Sequence, residues 1–264
     1  MTIHNVNDKI YSLLQIREVF HLQFLRWFGR KLEGNHYALK GGVNLRFFFN
    51  SIRYSEDIDL DIQKVGVERL KKIVMDILLT PGFSDSLQSF GIEKVVAPDM
   101  TKAKQTETTQ RFKIHLLTQS GEDLFTKIEF SRRGFKGSEV AESVSTEILR
   151  SYKMAPLLVS HYEVVSAVEQ KIHALAQRSI LQARDIFDLF LLSSQFDKAQ
   201  KGRVDVNKTV LKTAHDNIFL FEFSQFRESV AAYLAAEDQK AYSSPAAWDE
   251  MKLKTSHFLE ELTR

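Results

Sequence analysis

The chain has 264 residues, enough for one large domain or two small ones, and its 44% hydrophobic and 27% charged residues are those of an ordinary folded globular protein. Thirty-six Lys and Arg against 34 Asp and Glu leave a formal charge of +2, so any nucleic-acid surface must come from local clustering of basic residues. There is no cysteine, and no two of the eight histidines fall three to five residues apart, which excludes disulfides, thiolate metal sites and a zinc signature.

The start, "MTIHNVNDKI", is polar and lacks an apolar signal core, and no later apolar run is long enough to span a bilayer. A cytoplasmic protein with no membrane partner is expected. From Lys9 to Leu32, Leu13, Ile16, Phe20, Leu25 and Phe28 recur near the helical period, so a long helix is predicted there, stopped at Gly34. "HYALK" reads as a short strand, and Gly41-Gly42 turns it into a helix over "VNLRFFF". "DIDLDI" is a strand by alternation, and "VERLKKIVMDILL" a helix ended by Pro81-Gly82. "RFKIHLLTQ" and "EDLFTKIEFSRR" form a hairpin closed by Ser120-Gly121. After about Pro156 the texture turns helical, with stretches around Glu163–Gln177, Ala183–Ser193, Asp205–His215 and Glu222–Ala236 and one near the C-terminus. The expectation is an α+β protein. A mixed sheet flanked by helices fills residues 1–155, and a helical domain fills 156–264.

Residues i and i+2 of a strand share a face, so Asp57, Asp59 and Asp61 point one way while Ile58, Leu60 and Ile62 point into the core. Carboxylates ~7 Å apart on one face repel unless a cation sits between them, and hard oxygen ligands of this kind suit Mg²⁺ or Mn²⁺. A solvated acidic face on an edge strand is the plainer alternative. Upstream, Gly41-Gly42 exposes backbone N–H groups at a helix start, which suits phosphate oxygens. Strand, Gly-Gly, helix and Asp-x-Asp strand in that order put an anion cradle beside a cation site, as a nucleoside triphosphate with magnesium requires.

"LKGGVNLRFFFNSIRYSEDIDLDI" resembles the first motif of the AbiEii/AbiGii toxin family, among the DNA-polymerase-β-type nucleotidyltransferases, whose relatives include the MenT toxins of mycobacteria. The matching positions are Lys40, Gly41, Gly42, Arg53, Ser55, Asp57, Ile58, Asp59 and Leu60. "KIEFSRR" supplies Lys127 and Glu129 on one strand face, and Glu129 matches the superfamily's third carboxylate, with Asp61 as competitor. "EQKIHALAQRSILQARDIFDLFLL" is similar to the family's helical motif and supplies Lys171, Arg178, Arg184, Asp185 and Asp188. Lys171 and Arg178 are seven residues apart, hence on one helix face, and Arg184 with Asp188 has the spacing of a surface ion pair.

The resemblance implies a nucleotidyltransferase, the toxin of a toxin–antitoxin or phage-defence pair, with a cognate antitoxin and an NTP substrate. Asp57, Asp59 and Glu129 would hold the metal. Gly41, Gly42, Ser55, Lys127, Lys171 and Arg178 would face the nucleotide, and Asp185 or Asp188 would orient Lys171. It points to the 3′ end of tRNA as acceptor, and Arg132, Arg133 and Lys136 beside Glu129 form a candidate RNA rim, with Phe135 placed to stack on a base. A small-molecule nucleotidyltransferase of the antibiotic-modifying kind and a non-catalytic nucleotide-binding regulator are the competing readings. The paired aspartates speak against the regulator.

Overall fold

The computed structural model describes residues 11–263, so Lys9, at the start of the expected first helix, lies outside them. The first helix is α1 (Leu13–Phe28), opened by a capping box in which Ser12 and Gln15 satisfy each other's backbone N–H groups. Then come β1 (Tyr37–Lys40), α2 (Gly41–Phe48) and β2 (Asp57–Ile62), as the sequence predicts. Helix α3 (Val67–Leu79) does stop before Pro81, but Pro81 also occupies the first turn of a new helix, α4 (Pro81–Gln88). A proline has no N–H to lose there, so the residue that ends one helix starts the next.

Strands β3 (Ile92–Val96), β4 (Thr109–Thr118), β5 (Asp123–Ser131), β6 (Glu139–Ser143) and β7 (Leu158–Tyr162) follow, with α5 (Thr146–Ser151) between the last two. The seven strands form one mixed sheet in the order β3-β4-β5-β2-β1-β7-β6. Strand β2 pairs parallel with β5 and antiparallel with β1, and β1 pairs parallel with β7. The catalytic-looking strand therefore lies at the centre, not at an edge, and the solvated-edge alternative falls. The sheet also runs past residue 155, where the sequence changes texture, to take in β7 before the helices take over.

The helical part comprises α6 (Val164–Gln177), α7 (Ala183–Ser193), α8 (Lys198–Lys201), α9 (Lys208–Ile218), α10 (Phe223–Ser229), α11 (Ala236–Ala241) and α12 (Pro245–Leu262). The single helix expected over Glu222–Ala236 is broken at Val230, whose φ of −124° and ψ of −61° leave the helical region. The 3₁₀ turn that follows presents the Tyr233 carbonyl to the Tyr54 N–H at 2.9 Å, tying the helical part to the segment just before β2. Two apolar cores result. One packs Phe20, Phe24 and Phe28 of α1 against Ile58, Leu60, Phe112 and Phe130 of the sheet, and the other packs Ile172, Phe187, Phe226 and Trp248 among the helices.

Candidate active site

Pairing between β2 and β5 sets the site. Asp57 lies opposite Lys127 and Asp59 opposite Glu129, all on the face away from the buried Ile58, Leu60, Ile128 and Phe130. Lys127 Nζ sits 3.2 Å from Asp57 Oδ2 and 3.6 Å from Glu129 Oε2, and Arg111 Nε donates to Glu129 Oε2 at 2.7 Å. Burial pushes the Glu129 carboxyl up, but Arg111 and Lys127 outweigh it and hold it below its ordinary range. Asp59 goes the other way: burial and its acidic neighbours lift its carboxyl more than Lys127 and Lys40 lower it. Asp57 Oδ1 is buried with no hydrogen-bond partner.

Above them, Gly41 has φ +70°, and a side chain there would bring its Cβ to 2.9 Å from Asp59 Oδ2. A Cβ on Gly42 would meet Ser55 Oγ at 2.9 Å and Arg53 Nη2 at 3.1 Å. The glycine pair is thus required both by the left-handed turn from β1 into α2 and by the close approach of the carboxylate and of the Arg53–Ser55 segment. Ser55 Oγ in turn donates to the Asp57 carbonyl at 3.0 Å, fixing the start of β2.

Hard oxygen donors, an orphaned carboxylate oxygen and a side-chain-free cradle fit a small divalent cation at Asp57 and Asp59. Among the described residues no three His, Asp or Glu side chains converge as a metal-holding group. Glu129, expected as the third ligand, is drawn instead onto Arg111 and Lys127. Asp61 is saturated: Lys40 Nζ donates to Oδ1 at 2.5 Å and the Tyr162 hydroxyl donates to Oδ2 at 2.6 Å. Two carboxylates completed by phosphate oxygens and water form the usual Mg²⁺ arrangement.

The helical motif closes the other wall. Asp188 is fully buried and bound by Arg53, whose Nε and Nη2 lie 3.0–3.1 Å from its oxygens, and by Lys171 Nζ at 2.6 Å. Lys171 also donates to Asp185 Oδ1 at 3.0 Å. Burial would raise the Asp188 carboxyl, but Arg53 and Lys171 overcome it and hold it low. The surface pair that the spacing of Arg184 and Asp188 allows does not form, because Asp188 turns inward to an arginine 135 residues away. Arg178 shares the face of Lys171, and both reach the Asp185 carboxylate. It is the cap residue past the end of α6, with φ −66° and ψ 139°, and its Nε lies 3.5 Å from Asp185 Oδ2.

A cavity of about 190 Å³ brings together Gly41, Gly42, Ser55, Asp57, Asp59, Lys127, Lys171 and Arg178, and adds Arg53, Glu56 and Arg184. All three were left out of the expected site, although Arg53 and Arg184 stand in the matched motifs. Beside it opens a second cavity of about 670 Å³, which shares Arg178 and is lined by Lys40, Arg133, Lys136, Glu169, His173 and Gln177 among others. Arg133 and Lys136 of the expected basic rim are there. Arg132 is not, since it reaches the opposite way to Gln110 Oε1 and the Val65 carbonyl. Phe135 lies edge-on to Tyr162, ring centroids 6.4 Å apart. The Tyr162 hydroxyl accepts the Lys136 N–H at 3.0 Å, and Ser166 Oγ accepts that of Ser138 at 2.8 Å, so the loop after β5 is pinned over α6.

Comparison with known proteins identifies the family and the fold. Residues 23–261 match a family described as the nucleotidyl transferase AbiEii toxin of a type IV toxin–antitoxin system. MenT4, a nucleotidyltransferase toxin from Mycobacterium tuberculosis H37Rv, superposes with a TM-score of 0.56 at 16% identity, over 94% of this chain and 83% of that one. JHP933 from Helicobacter pylori gives a TM-score of 0.51 at 16% identity, over 96% and 93%. A further H. pylori structure, of a protein proposed to be a nucleotidyltransferase, gives 0.54 at 18% identity, over 96% and 98%. At such identities the structural likeness speaks for the fold. No curated protein matches the chain. No helix among the described residues is long and apolar enough to cross a membrane. The family match spans nearly the whole sequence, and the chain belongs to the AbiEii nucleotidyltransferase toxin family: it is a nucleotidyltransferase of toxin–antitoxin type.

Proposed function

We propose that this enzyme transfers a nucleoside monophosphate from an NTP to the 3′ hydroxyl of an RNA, with tRNA as acceptor, in the cytoplasm of a cell that also makes the antitoxin or uses the pair in phage defence. One observation carries the reading. In a single cavity Asp57 and Asp59 face Lys171, Arg178 and Arg184 across the Gly41-Gly42 turn. Carboxylates for a metal and cations for phosphates, gathered in one cavity, suit a triphosphate that arrives with its metal. Asp57 and Asp59 would hold Mg²⁺ or Mn²⁺, which when bound neutralises charge on the attacking and leaving oxygens.

Gly41 and Gly42 let phosphate oxygens approach the first N–H groups of α2. Arg178 and Arg184 neutralise the outer phosphates, and Lys171, fixed by Asp185 and Asp188, adds positive potential behind them. The acceptor oxygen bonds to the α-phosphorus as the bond to the pyrophosphate oxygen breaks, and the hydroxyl proton passes to solvent water. Glu129, held low by two cations, is a poor proton acceptor, and its part is to orient Lys127. The larger cavity, with Arg133 and Lys136 on its rim, is where the acceptor's phosphates would lie. Incubation with each α-labelled NTP and total RNA tests the reading. Label is expected in tRNA-sized RNA, and RNA with a blocked 3′ end should be inert. Label found only in a small-molecule acceptor would overturn the RNA assignment.

A further inference from the structure

Lys127 is a cation in a place where the chemistry calls for a metal. Its side chain is 22% exposed and lines the catalytic cavity together with both aspartates. Its ammonium lies 3.2 Å from Asp57 Oδ2 and 3.6 Å from Glu129 Oε2, inside the carboxylate face made by the pairing of β2 with β5. A Mg²⁺ ion binds carboxylate oxygens at ~2.0–2.1 Å. An ion held by Asp57 and Asp59 would share the Asp57 carboxylate with the ammonium, the orphaned Oδ1 facing the ion and Oδ2 the lysine, and like charges that close repel in a partly dry site. The lysine stands beside the metal's place, in contact with Asp57 and Glu129. It must swing away, and Glu129 alone, already bonded to Arg111, is a weak second home for it. An incoming phosphate is a better one.

We propose that Lys127 is a resident counter-ion of Asp57 and Asp59 that opposes metal binding to the empty enzyme, and that a nucleotide relieves the opposition by taking the ammonium onto its phosphates. The inference rests on the metal-dependent reading above and adds to it an order: metal and nucleotide enter together. In this role Lys127 is a positioning residue until nucleotide arrives.

The test is Mn²⁺ binding to the nucleotide-free protein, followed by paramagnetic resonance of free Mn²⁺ and by thermal melting. Lys127→Met should bind Mn²⁺ at least ~10-fold tighter than wild type, a difference of ~1.4 kcal/mol. Its melting temperature should be lower without metal and recover more on Mn²⁺ addition. Lys127→Arg keeps the charge and should bind Mn²⁺ as weakly as wild type, which a merely structural role would not require. If Lys127→Met does not fold, Lys127→Gln, which keeps a donor for Asp57 without the charge, decides in its place. Mn²⁺ affinity unchanged or weakened in the charge-removing variant overturns the inference. That failure is distinct from failure of the metal site itself, which would show as Mn²⁺ binding indifferent to Asp57→Ala/Asp59→Ala.

Discussion

Two charge clusters border the candidate site cavity, built from the same residue types to opposite ends. In the cluster of Arg53, Lys171, Asp185 and Asp188 the side chains are 0–8% exposed, and Asp188 is gripped at both oxygens. In the cluster of Asp57, Lys127 and Glu129 they are 22–30% exposed, and the contacts of Lys127 are long. The first cannot exchange partners without leaving a bare charge in a dry interior, so it holds the helical part against the sheet. The second can, because water and an incoming ligand reach it. The difference gives the closed cluster a part in stability and leaves the exchange of partners to the open one, although both come from family motifs.

The largest expected effect breaks the comparison if it fails. Asp57→Ala/Asp59→Ala should lower nucleotide transfer by at least ~10⁴-fold, or ~5.5 kcal/mol of transition-state stabilisation. Melting should be unchanged or slightly raised, because crowded carboxylates are relieved. Full transfer activity in a labelled-NTP assay would sink the mechanism.

Next in size is the closed cluster. Asp188→Ala leaves Arg53 and Lys171 buried without their carboxylate and should destabilise the fold by ~3–5 kcal/mol in urea melts. The pH sign follows from the direction of the shift. The folded-state Asp188 carboxyl titrates below its ordinary value of 3.8, so its contribution is complete above that value and is lost as pH falls through the folded one. The stability gap between wild type and Asp188→Asn should therefore be wide at pH 7 and shrink in acid below about pH 4. A constant gap would remove the charge clamp as its cause.

Lys171 and Arg184 sharpen the boundary between the two roles. Arg184 lines the cavity, and Arg184→Ala should lower kcat/KM for the NTP ~10-fold, ~1.4 kcal/mol, with an unchanged melt. Lys171→Ala should lower kcat/KM by at least ~10-fold and also lower the melting temperature, since two buried aspartates lose their cation. Kinetic loss without thermal loss would move Lys171 wholly to the substrate side.

What was legible in the sequence was what local period and spacing encode. The alternation of "DIDLDI", the Gly-Gly turn and the hairpin at Ser120-Gly121 all stand where they were expected. Strands β3, β6 and β7 do not show in the sequence because "IEKVV", "EVAES" and "LVSHY" carry no strict apolar alternation, and the sheet supplies their pairing. The inward turn of Asp188 was hidden for a different reason. Its partner Arg53 is brought near only by the docking of α7 behind the turn into β2, and no spacing within "RDIFDL" records that. Arg132 illustrates the same limit. In "SRRGFKG" it is one residue from Arg133, but both follow the end of β5, and there Arg132 reaches back to Gln110 and Val65 while Arg133 lines the larger cavity.

The smallest effect concerns how the sheet addresses the acceptor. Asp61 could have been a metal ligand, yet Lys40 and Tyr162 occupy both its oxygens. Tyr162 carries that arrangement outward, because its hydroxyl donates to Asp61 while accepting the Lys136 N–H. Burial and Asp61 push its phenol up, so it stays a donor at any physiological pH. Tyr162→Phe keeps the ring that Phe135 packs against and removes both hydrogen bonds, each worth ~0.5–1.5 kcal/mol. The loop bearing Arg133 and Lys136 would lose one anchor but keep the other, the Ser138 N–H on Ser166. KM for RNA should rise ~3- to 10-fold, and KM for the NTP should not change, because the triphosphate wall touches neither group. If the NTP term moves instead, Asp61 freed from Tyr162 has disturbed Asp59, and the separation of acceptor wall from metal face is less complete than the two cavities imply.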